Sequence, residues 1–92
     1  MLVEVVNGTG APDQATEVAT VLREVGFAIN GTANAPSFQN AMTVVAYPPG
    51  EQSAAATVAA YLVGDYELQA NDQLPSGVID LVTGESWDGV RG

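Results

Sequence analysis

Hydrophobic residues follow two different periods along this 92-residue chain. Short runs rich in β-branched residues, some of which alternate apolar with polar side chains, predict strands that are buried mainly on one face. Two longer stretches repeat small or apolar side chains every three or four positions, which predicts amphipathic helices. The predicted strands are Leu2–Asn7, Phe27–Asn30, Thr43–Tyr47, Tyr66–Gln69 and Val78–Thr83.

The first and last of these strands indicate which sheet face is buried. Val3 and Val5 would share one face of the first strand and leave Glu4 on the other. In the last strand, Leu81 and its apolar neighbour Ile79 would point inward, with Asp80 between them pointing outward. We therefore expect one covered face and one partly open face that carries carboxylates.

Glycine and proline residues mark where the predicted helices begin and end. Pro12 suits the first position of a helix, where its missing N–H costs nothing, and Gly26 is expected to end that helix in the left-handed conformation. The second helix would follow residues 48–50 and be capped by Gly64, while Gly31–Asn40 is predicted to be a turn-rich connection. The stripes expected to face the sheet are Ala15, Val18, Ala19, Leu22 and Val25 in the first helix, and Ala55, Val58, Ala59 and Leu62 in the second.

The order strand, helix, strand occurs twice and is followed by a last strand. Because crossovers between parallel strands are right-handed, both helices should pack on the same face of one sheet. The predicted fold is a two-layer α/β (α+β) sandwich of βαββαββ order, with a mixed sheet of ferredoxin-like or split βαβ kind. Strand order stays open, since exchanging an edge strand leaves the apolar pattern unchanged.

The chain is expected to be one domain. Residues 2–47 would form the first βαβ half with the third strand, residues 51–83 the second half, and residues 84–92 a tail. No apolar run approaches the ~18 residues that a membrane span requires. Met1 leads into a strand without a basic segment, so we expect no signal peptide, and the membrane anchor of an exported parent protein would lie outside this sequence.

Charge and residue types exclude several classes of function. Two basic residues, Arg23 and Arg91, oppose eleven acidic ones, and the net charge is −9. That balance argues against binding to nucleic acid or to an anionic membrane surface, both of which depend on clustered Lys and Arg. The absence of Cys and His removes thiol and imidazole catalysis and most zinc or copper sites. We expect no cofactor.

The loop Asn7-Gly8-Thr9-Gly10 is the most suggestive candidate site. A glycine loop before a helix can cradle an anion with backbone N–H groups. This loop lacks the Lys-Ser/Thr of a P-loop, and the nearby Asp13 would repel an anion. The favoured interpretation is a turn that requires positive φ, and contact with an anion or a glycan is the alternative.

Aromatic and acidic residues supply the remaining candidates. Tyr47 and Trp87 could stack on sugar rings, although such side chains more often cover the edge of a small core. The acidic residues near one another in sequence do not form an evident catalytic pair, and the segment from Asp80 to Asp88 lacks the ladder of an EF-hand. We predict no catalytic residue and no metal site.

The ordered set of these segments resembles the LytR C-terminal domain family. The resemblance is carried by Val3–Gly10, Val25-Gly26-Phe27, Asn34-Ala35, the strand Thr43–Tyr47 followed by Gly50 and an Ala-rich helix, and the closing Val78–Glu85. It covers nearly the whole chain.

The resemblance implies a non-catalytic accessory domain of an extracytoplasmic cell-envelope protein, of a kind found notably in actinobacteria. Such domains often follow the LytR-CpsA-Psr catalytic domain, which transfers glycopolymers to peptidoglycan, and the catalytic residues belong to that partner domain. The expected partners are that catalytic domain, another envelope protein or peptidoglycan, without nucleic acid or direct membrane contact. Two alternatives stay open: a peptidoglycan-binding module, and a ligand-sensing or oligomerisation domain.

Overall fold

The computed structural model describes residues 1–91 and contains five strands and two helices. In chain order they are β1 (Leu2–Asn7), α1 (Gln14–Glu24), β2 (Ile29–Asn34), β3 (Thr43–Tyr47), α2 (Gln52–Ala59), β4 (Tyr66–Ala70) and β5 (Val78–Val82). The bounds of β1 and β3 match the prediction, and those of β4 and β5 differ from it by one residue.

The strands form one mixed sheet in the order β2-β1-β5-β3-β4. β1 is parallel to both of its neighbours, β3 is parallel to β4, and β3 meets β5 in the antiparallel direction. The predicted class, a two-layer α/β sandwich with a mixed sheet, is confirmed. Each βαβ unit keeps its two strands adjacent, and β5 is inserted between the units rather than within one of them.

Both helices pack on the same sheet face, as predicted. Buried residues of α1 and α2 share one cluster with inward-facing residues of β1, β3 and β5. That cluster consists of Val3, Val5, Ala15, Val18, Ala19, Leu22, Val45, Ala55, Val58, Ala59, Leu62, Ile79 and Leu81. The alanines allow the helices to approach the sheet closely, and the opposite sheet face is left without a helix.

Both helices are shorter than the sequence predicts. α1 begins at Gln14 rather than at Pro12, because Asp13 before it adopts φ 60° and cannot continue a right-handed helix. Gly26 adopts φ 102° just beyond α1, as expected of a left-handed ending. The prediction that Gly64 caps the second helix is wrong, since α2 ends at Ala59 with a cap at Ala60.

β2 starts and ends later than predicted. It runs from Ile29 to Asn34, and four residues assigned to a connection therefore belong to the sheet. β1 pairs with β2 along its length, with an irregularity between Val3 and Glu4. Pairing of the β1 backbone outweighs the turn preference of Gly31, because unpaired buried N–H and C=O groups are costly. Phe27 instead packs against the core.

The segment after β5 is held against the helix layer. Val63 N donates to Gly89 O (3.0 Å) and Arg91 N donates to Tyr61 O (2.7 Å). Leu62 and Val90 form an isolated antiparallel bridge. Residues 89–91 of the predicted tail therefore pack against the segment that follows α2 and close one side of the core.

Candidate functional site

The sheet face turned away from the helices, here called the outer face, combines apolar and acidic side chains. Because strand side chains alternate and paired residues share a face, the inward-facing Val3, Val5, Ile79 and Leu81 place their neighbours outward. The outward residues of the three central strands are Leu2, Glu4 and Val6 of β1, Val78, Asp80 and Val82 of β5, and Val44 and Ala46 of β3. The predicted open face with Glu4 and Asp80 is present, and it is more apolar than expected.

A groove of about 540 Å³ lies on this outer face. All five strands contribute to it, together with the segments that follow β2 and β4. Its lining residues are Val6, Ala33, Asn34, Ala35, Pro36, Ser37, Asn40, Val44, Ala46, Gln69, Asn71, Asp80 and Val82. Valines and alanines from the strands form much of the lining, and amide and hydroxyl side chains flank them.

The segment between β2 and β3 forms one wall of the groove and is anchored through Asn40. The Asn40 Nδ2 group donates to Gly8 O (3.0 Å) and to Ser37 O (2.6 Å). The backbone of the same segment accepts from Glu85 N at Asn40 O (2.8 Å) and from Ser86 N at Ala41 O (2.9 Å). These bonds join the wall to the residues that follow β1 and β5. The wall is therefore fixed at this end of the sheet.

Asp80 is the acidic residue within the groove lining, and Glu4 occupies the paired position on β1. Burial raises the pKa of Asp80 to about 6, and the negative charge of Glu4 and a hydrogen bond with it act in the same direction. The Oδ1 atom of Asp80 is buried and has no hydrogen-bond partner among residues 1–91. Two neighbouring carboxyl groups on a largely apolar floor are an electrostatically unfavourable arrangement.

Asp80→Asn is expected to raise the free energy of unfolding near neutral pH by about 1 kcal/mol. This value is smaller than the full pKa shift implies, because the Asp80 side chain is partly solvated. The pKa of Asp80 in the folded chain is about 6, which lies above its ordinary value of 3.8. The folded chain is therefore stabilised when Asp80 is protonated. This contribution to the free energy of unfolding is fully present below pH 3.8 and is lost as the pH rises through about 6. Urea unfolding from about pH 4 to about pH 8 measures this dependence.

Asp72→Asn is the matched control, because it removes the same charge from an exposed loop. The difference in unfolding free energy between Asp80→Asn and Asp72→Asn should grow with pH. A difference that stays constant across this range would contradict the assignment to Asp80.

The predicted loop site, residues 7–10, lies at the end of β1 and is organised by Asn7. The Asn7 Oδ1 atom accepts from Thr9 N (2.9 Å), Thr9 Oγ1 (3.0 Å) and Gly10 N (3.1 Å). Its Nδ2 group donates to Ala11 O at 2.8 Å. Gly10 adopts φ 77°, which is the positive φ that the sequence predicts for this turn.

The other N–H groups of this loop also have partners within the chain. Gly8 N donates to the hydroxyl of the buried Thr83 (3.2 Å), and Ala11 N donates to Thr9 Oγ1 (3.3 Å). Thr83 in turn donates to Gln14 Oε1 at 2.5 Å, which links the loop to α1. The loop therefore directs its donors inward, and binding of an anion or a glycan by it stays a prediction.

A second cavity of about 400 Å³ lies beside this loop, between the start of α1 and the end of β2. Phe38 lines it next to Gly10 and is 48% exposed. Phe38 is not among the predicted site residues, because a lone aromatic in a loop carries no periodic signal.

Tyr47 and Trp87, the other predicted site residues, are not brought together with the loop. Tyr47 is the last residue of β3. Because β3 runs antiparallel to β5, Tyr47 lies at the opposite end of the strands from Asn7. Trp87 lines a small cavity with residues of α1 such as Val18. Both aromatic side chains pack against the core cluster, which is the covering role that the sequence favours for them. Neither lines the outer-face groove.

Most of the residues that line the groove lie outside the predicted site. Val6, Val44 and Val82 are apolar at outward positions, where alternation calls for polar residues. Both faces of these central strands are apolar at several positions, and that signal could have indicated a second apolar surface. Asn40, which anchors the wall, had no signal in the sequence because its partners are distant along the chain.

The described residues offer neither a metal site nor a membrane span. Within residues 1–91, no cluster of three or more His, Cys, Asp or Glu residues could hold a metal ion. No helix in this part of the chain has the length and apolar character to cross a membrane.

Comparisons with known proteins point to one family. The family model described as LytR cell envelope-related transcriptional attenuator (LytR_C) matches residues 1–87. None of the curated proteins matches the chain. A solved structure that is similar is the soluble domain of a conserved hypothetical secreted protein from Mycobacterium marinum, with 27% identity and a TM-score of 0.83. The match covers 100% of this chain and 64% of that one, so the chain spans less than two thirds of the solved domain.

Proposed function

The chain belongs to the LytR C-terminal domain family, and we propose that it is an extracytoplasmic accessory domain that docks a partner protein on its outer face. The family is one of non-catalytic accessory domains of LytR-CpsA-Psr-type proteins. The similar structure from Mycobacterium marinum is a soluble domain of a secreted protein, which supports placing this chain in the cell envelope. The partner we propose is the LytR-CpsA-Psr catalytic domain, and the role is support of glycopolymer attachment to peptidoglycan.

The observation that carries the proposal is the groove that crosses the helix-free sheet face. Folded domains usually cover such a face or make it polar, and contiguous apolar surface that stays open marks interaction sites. Val44 and Val82 lie in this groove, only partly buried, beside polar side chains such as Gln69. An apolar centre with a polar rim is typical of protein–protein interfaces.

Titration of this chain with the purified catalytic domain tests the proposal. Val44→Gln replaces an apolar groove side chain by a polar one and should weaken binding at least about tenfold, a loss of about 1.4 kcal/mol. Val21→Gln, on the exposed face of α1, makes the same change on the opposite layer and should leave the affinity unchanged. Isothermal calorimetry measures both. Equal affinities for the two variants would rule out docking on the outer face.

A second candidate function is peptidoglycan binding. The groove rim carries amide and hydroxyl groups, from Asn34, Ser37, Asn40, Gln69 and Asn71, that can bond sugar hydroxyls. Co-sedimentation with purified sacculi at low and moderate salt distinguishes the candidates. Binding that persists at moderate salt and is lost in Val44→Gln would support the wall as the ligand of the groove. Absence of sedimentation, together with binding of the catalytic domain, supports protein docking.

A further inference from the structure

The charges of the outer face are all negative in its three central strands and in β4. Glu4 and Asp80 lie side by side on β1 and β5, and Glu67 of β4 pairs with Val44. Both arginines are elsewhere: Arg23 lies in α1, and Arg91 donates from Nε to Leu62 O (3.4 Å) on the helix side of the sheet. The outer face therefore presents carboxyl groups, with Asp80 in the groove lining and Glu4 beside it, and these strands carry no basic side chain within the described residues.

The surroundings of Asp80 restrict what can approach these carboxyl groups. Around Asp80 lie Val82 of the same strand, Val6 of β1, and Val44 and Ala46 of β3, and all four line the same groove. A small hydrated cation would leave these apolar groups exposed. A lysine or arginine side chain satisfies both parts of the surface, because its aliphatic stem can lie on valines while its cationic head reaches a carboxylate.

We propose that the outer-face groove binds a lysine or arginine side chain of a partner protein, with the aliphatic stem on Val6, Val44 and Val82 and the cationic head at Asp80 and Glu4. This inference rests on the proposed function and names the chemistry of the partner. The buried Asp80 Oδ1 atom, which has no hydrogen-bond partner in the part of the chain that the structure describes, belongs to the carboxyl group that the cation would neutralise. Charge-assisted hydrogen bonds to carboxylates are among the stronger polar contacts in proteins.

A second copy of this chain does not suit the groove. Each copy carries a net charge of −9, so two copies repel one another. The chain has two basic residues, and Arg91 already bonds a backbone carbonyl through its Nε group. A pyranose ring is also disfavoured, because none of the described residues that line the groove has an aromatic side chain to stack on it. A basic segment of a different protein fits the charge and the apolar floor together.

The test uses this chain and two capped tripeptides, acetyl-Val-Lys-Val-amide and acetyl-Val-Gln-Val-amide. The peptides have similar apolar groups and differ in the central charge. Titrations followed by ¹H–¹⁵N correlation spectra at about pH 7.5 and low salt report the affinity and the position of binding. The lysine peptide should shift the amides of β1, β3 and β5, with a dissociation constant at least about tenfold below that of the glutamine peptide.

Variants separate the groove from the general acidity of the chain. Asp80→Asn and Glu4→Gln should each reduce the affinity for the lysine peptide several-fold, and about 0.3 M salt should weaken it in the unmodified chain. Glu17→Gln, which removes an exposed carboxylate from α1, should leave the affinity unchanged. Equal affinities for the two peptides, or an equal loss in Asp80→Asn and Glu17→Gln, would overturn the proposal.

Failure of this inference can be told apart from failure of the proposed function. If the catalytic domain binds and Val44→Gln weakens it while Asp80→Asn does not, the cation proposal is overturned and docking on the outer face stands. If the lysine peptide binds the groove but the catalytic domain does not, the groove chemistry is supported and the choice of partner is wrong. If the chain sediments with sacculi and Asp80→Asn abolishes this binding, the cation belongs to the wall. The proposal of a protein partner would then be overturned.

Discussion

Gly8→Ala is expected to lower the free energy of unfolding by about 3 kcal/mol, which is a large part of the stability of a domain this size. A Cβ atom at Gly8 would lie 2.1 Å from the carbonyl oxygen of Thr83. That oxygen belongs to the backbone at the end of β5, so relief requires β1 and β5 to separate. Gly8 N also donates to the Thr83 hydroxyl, and this buried bond would be strained by the same movement.

Gly31→Ala is the control for this prediction. Gly31 lies on β2 with φ outside the left-handed region, and a Cβ atom there meets nothing within 4 Å. Its unfolding free energy should equal or slightly exceed that of the unmodified chain. Urea unfolding can be followed through the single tryptophan, Trp87, which packs against the core. The Gly8→Ala variant should melt about 15 °C lower. A loss below about 1 kcal/mol would show that the two strand ends separate easily.

Asn7→Ala is expected to destabilise the chain by about 2 kcal/mol. Asn7 is 5% exposed, and its amide group makes four hydrogen bonds with the loop that follows. Alanine would leave Thr9 N and Gly10 N without their acceptor in a partly buried turn, at a cost of about 1 kcal/mol for each unsatisfied group. The loop also contacts the anchored wall through Gly8 O and Asn40, so the groove should widen in this variant.

Asn30→Ala provides the comparison, because Asn30 is an exposed asparagine in a strand. Its unfolding free energy should stay within about 0.5 kcal/mol of the unmodified chain. Hydrogen exchange measured on Thr9 and Gly10 amides would accelerate in Asn7→Ala and not in Asn30→Ala. Equal stabilities for the two variants would mean that the loop does not depend on Asn7.

The predicted loop site and the observed groove are connected through Asn40, which bonds Gly8 O. The glycine loop before a helix predicts a site at residues 7–10, and the structure shows that Asn7 and Thr83 direct the N–H donors of this loop inward. Asn40 connects this loop to the groove wall, so substitutions in the loop are expected to alter docking indirectly. A direct ligand of the loop would instead change the amide signals of Thr9 and Gly10 without changing stability.

Much of the fold follows from local patterns in the sequence. Alternation in β1 and β5 predicted which residues are buried, because successive side chains of a strand point to opposite faces. Helical spacing predicted the buried residues from Ala15 to Leu22 and from Ala55 to Ala59, whereas Val25 and Leu62 of the predicted stripes lie beyond the helix ends. The right-handed crossover placed both helices on one face. The positive φ of Gly10 and the covering positions of Trp87 and Tyr47 were also within reach, since each depends on residue type and nearby sequence.

Only the tertiary structure decided the strand order, the bounds of β2 and the groove. β2 extends to Asn34 because β1 requires a pairing partner along its length, and that requirement outweighs local turn preference. Glu4 and Asp80, 76 positions apart in the chain, become neighbours because β1 pairs with β5. The anchoring of the wall by Asn40 likewise depends on contacts between distant segments. Local patterns determine which side of each strand is buried, whereas pairing between remote segments determines which side chains meet.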